Sequence, residues 1–391
     1  MSNNNQPPLL SITIPTKDRY YYLKHLIELI KSFNCDEIEV VVQDNTVDNT
    51  EFLDYLGKID FPLLKYFHTK EQIPISLNSD LAVRNSTGEY VCFIGDDDGV
   101  SKYILDCCKW MKKNGVECVV PEGYSYNWPD ANELAAVKGL EWGGTLFWKK
   151  PSKEIRIVKT KDALQKLLDK GCTVRSVLPV LYHAVVKRSA LDRIWDTCGS
   201  YFPGASPDIA NGVALALVID KFAFVTCPVA YSGASKHLGG GELKMKHRGT
   251  TDFKSLPFLP DNLEENWDDR VPKVWTTPTI WSQSSIMAFK AMHREDLVEK
   301  INFESLYVEF VIFYHYFREM AYSLTTNKLL LFIRSSYGIF KRYKNASKRL
   351  FYQRVLHRTY SYEGNVERGM NNIIDANDFL VSKIESSVFQ D

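Results

Sequence analysis

Eight cysteines in 391 residues, with no CxxC pair and no Cys/His cluster at zinc spacing, exclude a disulfide framework and a structural zinc site and predict a reducing, cytoplasmic compartment. Net charge is missing as well: 48 Lys+Arg against 48 Asp+Glu leave no global field to draw the chain to nucleic acid. Any electrostatic function is therefore local. No long hydrophobic run is present either. The most apolar stretch, Leu306 to Phe317, is broken by Glu309 and His315 and falls short of the roughly 20 residues a spanning helix needs. Residues Met1 to Pro8 have neither a basic nor an apolar region of the kind that opens a secretory signal, so none is expected there. No repeat of roughly 20–50 residues is visible. What is there is ordinary globular usage, 45% hydrophobic and 25% charged, in a chain long enough for two or three units of roughly 100–200 residues each.

Over the first 120 residues short β-rich runs alternate with helical patterns, which predicts βαβ units and a doubly wound α/β sheet. Strands are expected at Leu9 to Ile14, Glu37 to Val42, Leu63 to Phe67, Glu89 to Ile94 and Val116 to Val120. Helices are expected at Tyr20 to Phe33, where Tyr22/Leu23, Leu26/Ile27 and Ile30 share a face, at Ser76 to Asn85 and at Lys102 to Lys113. Asp48 with Glu51 three residues on reads as a capping box that opens a further helix through Leu56. Tyr124 to about Lys161 reads as loops and short strands, and Val180 to Val186 as a strand. Helices are expected at Lys161 to Leu168, Ser189 to Trp195 and Asp208 to Ile219, a strand at Phe222 to Thr226, and a mobile loop at Ser232 to Gly249. Beyond about residue 250, Pro272 and Pro278 mark a linker and long helical patterns follow. The expected division is a catalytic unit over 1–250 and a mainly helical region over 251–391.

Open α/β sheets bind ligands beyond the carboxyl ends of their strands, and there the sequence is polar. Asp96-Asp97-Asp98 follows the strand ending at Ile94 and Gly95. Three adjacent carboxylates repel one another unless a cation offsets them, and an all-oxygen donor set selects Mg²⁺ or Mn²⁺. The bland alternative is a solvated acidic turn. Asp44, at the end of the second strand, can accept a hydrogen bond from a nucleobase imide or ribose hydroxyl; the alternative is an Asx turn. Thr16 offers a hydroxyl to the same ligand or a helix cap. Arg84 is either a charge-assisted donor to a diphosphate or a solvated helix arginine.

Three blocks, Ile12 to Arg19 (ITIPTKDR), Val40 to Thr50 (VVVQDNTVDNT) and Gly88 to Asp98 (GEYVCFIGDDD), resemble in order and spacing the opening motifs of the family 2 glycosyltransferases. The resemblance implies a GT-A fold, with a doubly wound mixed sheet binding a nucleotide-diphosphate sugar (a UDP-sugar), inversion at the anomeric carbon, and a glycan or lipid-linked acceptor in bacterial surface polysaccharide synthesis. It assigns donor contacts to Pro15, Thr16, Asp18, Arg19, Asp44, Arg84, Asp96 and Asp97, and Mn²⁺ or Mg²⁺ to Asp97 and Asp98. It places the late metal-site histidine at His237, the alternative being an ordinary surface histidine. Inversion needs a base on the acceptor hydroxyl. In the matching place, before an apolar helix, Asp208 is the only acid, and the alternative is a helix cap. Lys236, Lys244, Lys246, His247 and Arg248 around three glycines suit a lid over a diphosphate.

From Lys328 to Arg358 there are nine Lys/Arg, with no acid between Glu319 and Glu363. Leu329, Ile333, Tyr337, Phe340 and Tyr343 can share one helical face, which suits the anionic inner face of the plasma membrane. The alternative is a helix packed on the catalytic unit. Two rival functions are a sugar-nucleotidyltransferase, disfavoured because Pro15 to Arg19 lacks a glycine-rich phosphate loop, and a catalytically silent binding module, disfavoured by the retained carboxylates.

Overall fold

The computed structural model describes residues 7–134, 142–236, 249–256, 258–260, 262–354, 364–384 and 388–389. The chain runs β1 (Leu10–Thr16), α1 (Tyr20–Lys31), β2 (Ile38–Asp44), α2 (Thr50–Leu56), β3 (Leu64–His68), α3 (Ile75–Arg84), β4 (Tyr90–Phe93), β5 (Gly99–Val100), α4 (Tyr103–Asn114), β6 (Cys118–Pro121), β7 (Tyr124–Asn127) and β8 (Thr145–Trp148). It continues through β9 (Ile155–Lys159), α5 (Thr160–Asp169), β10 (Val185–Lys187), α6 (Arg188–Cys198), α7 (Pro207–Val218), β11 (Lys221–Val225) and β12 (Ala230–Ala234). The remainder is α8 (Thr277–Ala291), α9 (Glu295–Val298), α10 (Phe303–Phe313), α11 (Arg318–Leu324), α12 (Lys328–Arg354), β13 (Asn365–Arg368) and α13 (Ile373–Ser382).

Strands β1, β2 and β4 are buried almost throughout, as strands covered on both faces must be. They belong to an eight-stranded sheet of order β3-β2-β1-β4-β10-β6-β11-β9. β3, β2, β1 and β4 run parallel, whereas β10 lies antiparallel between β4 and β6. On one face α1 and α4 bury Leu23, Leu26, Ile27, Ile104 and Met111. On the other, α3, α5, α6 and α7 share a core with α8 and α10, so helices after residue 250 complete it. Each fully buried Leu, Ile or Phe contributes about 1.5–3 kcal/mol. This is the doubly wound mixed α/β sheet with a C-terminal helical extension that the sequence predicts.

Three local expectations change. The helix after β2 starts at Thr50 with Asn49 before it. Asp48 Oδ1 instead accepts from the Thr50 N–H and hydroxyl in an Asx turn, and Glu51 reaches Lys24 rather than the cap. The strand expected at Val180 to Val186 pairs fully only from Val185, because His183 adopts φ +65° and turns the chain. The stretch after Tyr124 forms a second sheet, of order β13-β8-β7-β12-β5, whose pairings join residues 125–127 to 232–234 and 145–148 to 365–368. Such long-range pairings leave no local signal. Among the described residues no helix is long and apolar enough to cross a membrane.

Candidate functional site

The parallel register sets Thr16 beside Asp44, with β4 on the other flank of β1, so three polar strand ends meet. After β1 the chain kinks: Asp18 takes the left-handed φ of +57°, its N–H donating to Thr46 Oγ1 at 2.8 Å. This kink sends Arg19 onto the acidic triplet. Its Nη1 lies 3.1 Å from Asp96 Oδ1 and its Nη2 2.5 Å from Asp97 Oδ2. Ser235, at the end of β12, accepts from Arg19 Nη2 and donates to Asp97 Oδ2, both at 2.7 Å. Thr16 Oγ1 donates to Asp96 Oδ2 at 2.6 Å.

The triplet residues Asp96, Asp97 and Asp98 are only 2%, 4% and 0% exposed, and each is held differently. Burial pushes the Asp96 carboxyl up to about 7 against the pull of Arg19, with the neighbouring Asp97 charge adding to the rise. Burial also raises Asp97. Burial would raise Asp98 too, but the nearby His183 and the N–H groups of Gly233 and Gly95 outweigh it and hold that carboxyl low. His183 Nε2 lies 2.8 Å from Asp98 Oδ2, and the Gly233 and Gly95 N–H groups donate at 2.7 and 2.6 Å. Gly233 is required here, since a Cβ would sit 1.7 Å from the Asp97 carbonyl oxygen. The Trp128 indole donates to that same carbonyl at 2.7 Å.

Asp96 and Asp97 face a cavity of about 440 Å³, which Arg19, Pro15, Tyr182 and Asp208 also line. Part of its lining is aromatic and apolar: Phe258, Trp275, Ile280 and Trp281. Asp208 follows Pro207 in the first turn of α7, whose N-cap is Ser206. Its Oδ1 accepts from the Ser206 hydroxyl and its Oδ2 from Arg175 Nη1 at 2.9 Å.

Asp44 is buried, and its carboxylate forms the Asx turn with the Thr46 N–H while accepting from the hydroxyls of Tyr20 and Tyr66 at 2.6 and 2.7 Å. Arg84 is not brought to the triplet: its guanidinium lies over the Trp195 ring on α6, 4.7 Å from the centroid. His237 and the basic residues Lys244 to Arg248 lie outside the described residues. Tyr182, His183, Arg175, Ser235 and the tryptophans of the cavity lining escape sequence reasoning. They come from four separated segments, and only the fold joins them.

Among the described residues no group of three His, Cys, Asp or Glu stands ready-made around a metal ion; Arg19 and His183 sit against the triplet. The donor set nevertheless suits a hard divalent cation. Three buried carboxylates exceed the single fixed positive charge of Arg19, and Asp96 Oδ1 is buried without a hydrogen-bond donor, Arg19 approaching it as an ion pair only.

Residues 11–167 match the family model described as Glycosyl transferase family 2. No curated protein matches the chain. Among solved structures the chain is similar to S. aureus TarS 1–349 in complex with UDP-GlcNAc, at 16% identity over 93% of this chain and 97% of that one, with a TM-score of 0.43. It is also similar to the mannosyltransferase PcManGT from Pyrobaculum calidifontis in complex with GDP-Man and Mn²⁺, at 14% identity over 86% and 88% of the two chains, with a TM-score of 0.39.

Proposed function

We propose that this chain, whose residues 11–167 match the Glycosyl transferase family 2 model, is an inverting glycosyltransferase moving a sugar from a UDP-sugar to a hydroxyl of a glycan or lipid-linked acceptor in bacterial surface polysaccharide synthesis. The observation that carries the reading is one cavity lined by Asp96, Asp97, Arg19 and Asp208 together. Pro15, Thr16, Asp18 and Asp44 are assigned to the nucleoside end. Arg19, rather than Arg84, is assigned as the guanidinium for the diphosphate. Mn²⁺ or Mg²⁺ is assigned to Asp97 with Asp96, where it would offset the charge of the donor diphosphate. Asp98, whose carboxylate is committed to Gly95, Gly233 and His183, positions the turn that carries them.

In the proposed step the acceptor oxygen bonds the anomeric carbon from the face opposite the diphosphate, and the carbon–oxygen bond to the diphosphate breaks. The nucleoside diphosphate leaves with the electron pair, and the acceptor proton passes to Asp208. Arg175 and Ser206 hold that carboxylate in one orientation, which a general base requires. The catalytic unit is taken as 1–250, with 251–391 contributing the aromatic wall on which the apolar face of a sugar ring can rest.

The test is nucleoside diphosphate release from a panel of nucleotide-sugars with Mn²⁺ or Mg²⁺. Release from a UDP-sugar that stops in EDTA is expected. Asp208→Asn should keep donor binding and lose on the order of 10²–10⁴ in turnover. Unchanged turnover at saturating acceptor would overturn the role given to Asp208.

A further inference from the structure

We propose that α12 is a docking helix that lays its outer face on an anionic lipid surface, parallel to the membrane plane. One side of this helix is fixed to the body of the protein. Leu331 and Ser335 are buried there, and Gly338 allows a close approach to α10, since a Cβ on it would meet Ile312 Cδ1 at 2.2 Å. Arg342 Nη1 donates to the Ile312 carbonyl at 3.1 Å, and its guanidinium covers the Phe313 ring.

At 100° per residue, the side of the helix turned away from Leu331, Ser335 and Gly338 carries Leu329, Ile333, Tyr337, Phe340 and Tyr343, with Phe332 at its edge. These six side chains are 54–70% exposed among the described residues. Large apolar groups scattered singly over a surface are ordinary, but six on one helix face mark an interaction surface. The helix is rich in basic residues: Lys328, Arg334, Lys341, Lys344 and Lys348 are exposed, α12 contains no Asp or Glu, and among the described residues none of the five pairs with a carboxylate. Apolar and aromatic side chains on one face, with unpaired cations beside them, complement acyl chains beneath anionic headgroups. Tyr337 and Tyr343 add rings with a polar tip suited to that boundary. A second copy of the chain is the weaker fit. Self-association across this face would set basic flank against basic flank with no acidic partner. Because no described helix is long and apolar enough to span a bilayer, the contact is in-plane. It goes beyond the catalytic reading and is independent of it.

The experiment is co-sedimentation of the full chain with vesicles of phosphatidylcholine alone or mixed with phosphatidylglycerol, at low and high salt. Binding to the anionic vesicles at low salt, reduced at high salt, is expected. Lys341→Gln with Lys344→Gln and Lys348→Gln should weaken it on the order of 10²-fold. Phe332→Ser with Phe340→Ser should also weaken it while leaving the circular dichroism spectrum and melting temperature unchanged. Wild-type protein that stays in the supernatant with anionic vesicles, or a phenylalanine double variant that binds as well as wild type, overturns the proposal. So does a dimer in light scattering that the phenylalanine substitutions convert to monomer, which reassigns the face to a second copy.

Discussion

The end of the main sheet and the outer face of α12 are opposites in one respect and alike in another. At the sheet end three carboxylates are almost wholly buried; on α12 seven large apolar side chains among the described residues, Leu330 with the six of the outer face, stand in solvent. Each reverses the usual partition, in which charge stays outside and apolar bulk inside. The two reversals are also sustained differently. Burying Asp96 to Asp98 requires a specific set of partners, Arg19, His183, Ser235 and three backbone N–H or hydroxyl donors, because an unpaired buried charge is very costly. Exposing Phe332 or Phe340 requires nothing from the rest of the molecule, since α12 is secured by its other side. Substitutions at the sheet end should therefore affect chemistry or fold, depending on which partners the carboxylate holds, and those on α12 neither.

The largest effect is expected from Asp97→Asn, which keeps the size and the Ser235 contact of the side chain but removes its charge. Turnover should fall by about 10²–10³, as when one preorganised electrostatic group is lost, while the melting temperature stays close to that of wild type. Full turnover in that variant would break the contrast at its stronger end. Asp98→Ala sharpens it differently. The N–H groups of Gly95 and Gly233 lose their acceptor, and each buried orphan costs about 1–3 kcal/mol, so urea denaturation should show a markedly lower midpoint.

A smaller, pH-dependent effect is expected at Asp80 on α3, which accepts from the Ser200 hydroxyl and the Tyr201 N–H and so holds the chain leading to α7. Burial pushes its carboxyl up from 3.8 to about 6. A group raised on folding adds stability that is fully present below its unfolded value and is lost as pH rises through its folded value. Stability measured by denaturant titration should thus decline between about pH 4 and 6 more steeply in wild type than in Asp80→Asn, and equal slopes would contradict the assignment. The smallest effect is expected from Phe332→Ser, within about 0.5 kcal/mol of wild type, as for an exposed site away from packing features. A larger loss would show that this face is packed and end the comparison.

Much of the architecture is local and was legible. The apolar runs at Leu9 to Ile14, Glu37 to Val42 and Glu89 to Ile94 are strands because β-branched runs bury well on both faces of a parallel sheet, and the Tyr20 helix follows its apolar spacing. The motif blocks carry Thr16, Asp44 and the triplet to the strand ends, since each lies directly after its strand. The position of Asp208 at the start of an apolar helix was legible, and α12's exposed face follows from spacing along one helix.

The tertiary structure alone decided what each charge meets. That Arg19 reaches Asp96 and Asp97 depends on the left-handed turn at Asp18. That Asp98 is held by His183 and Gly233 depends on residues 85 and 135 positions away in the chain, and that Trp281 lines the same cavity as Asp208 depends on α8 docking against α7. Hydrophobic periodicity is a property of neighbours in sequence, so a reader of the chain can find it. The pairing of buried charges is a property of neighbours in space, and the short reach of a hydrogen bond means that only the finished packing determines which carboxylate is spent on structure and which is left facing the cavity.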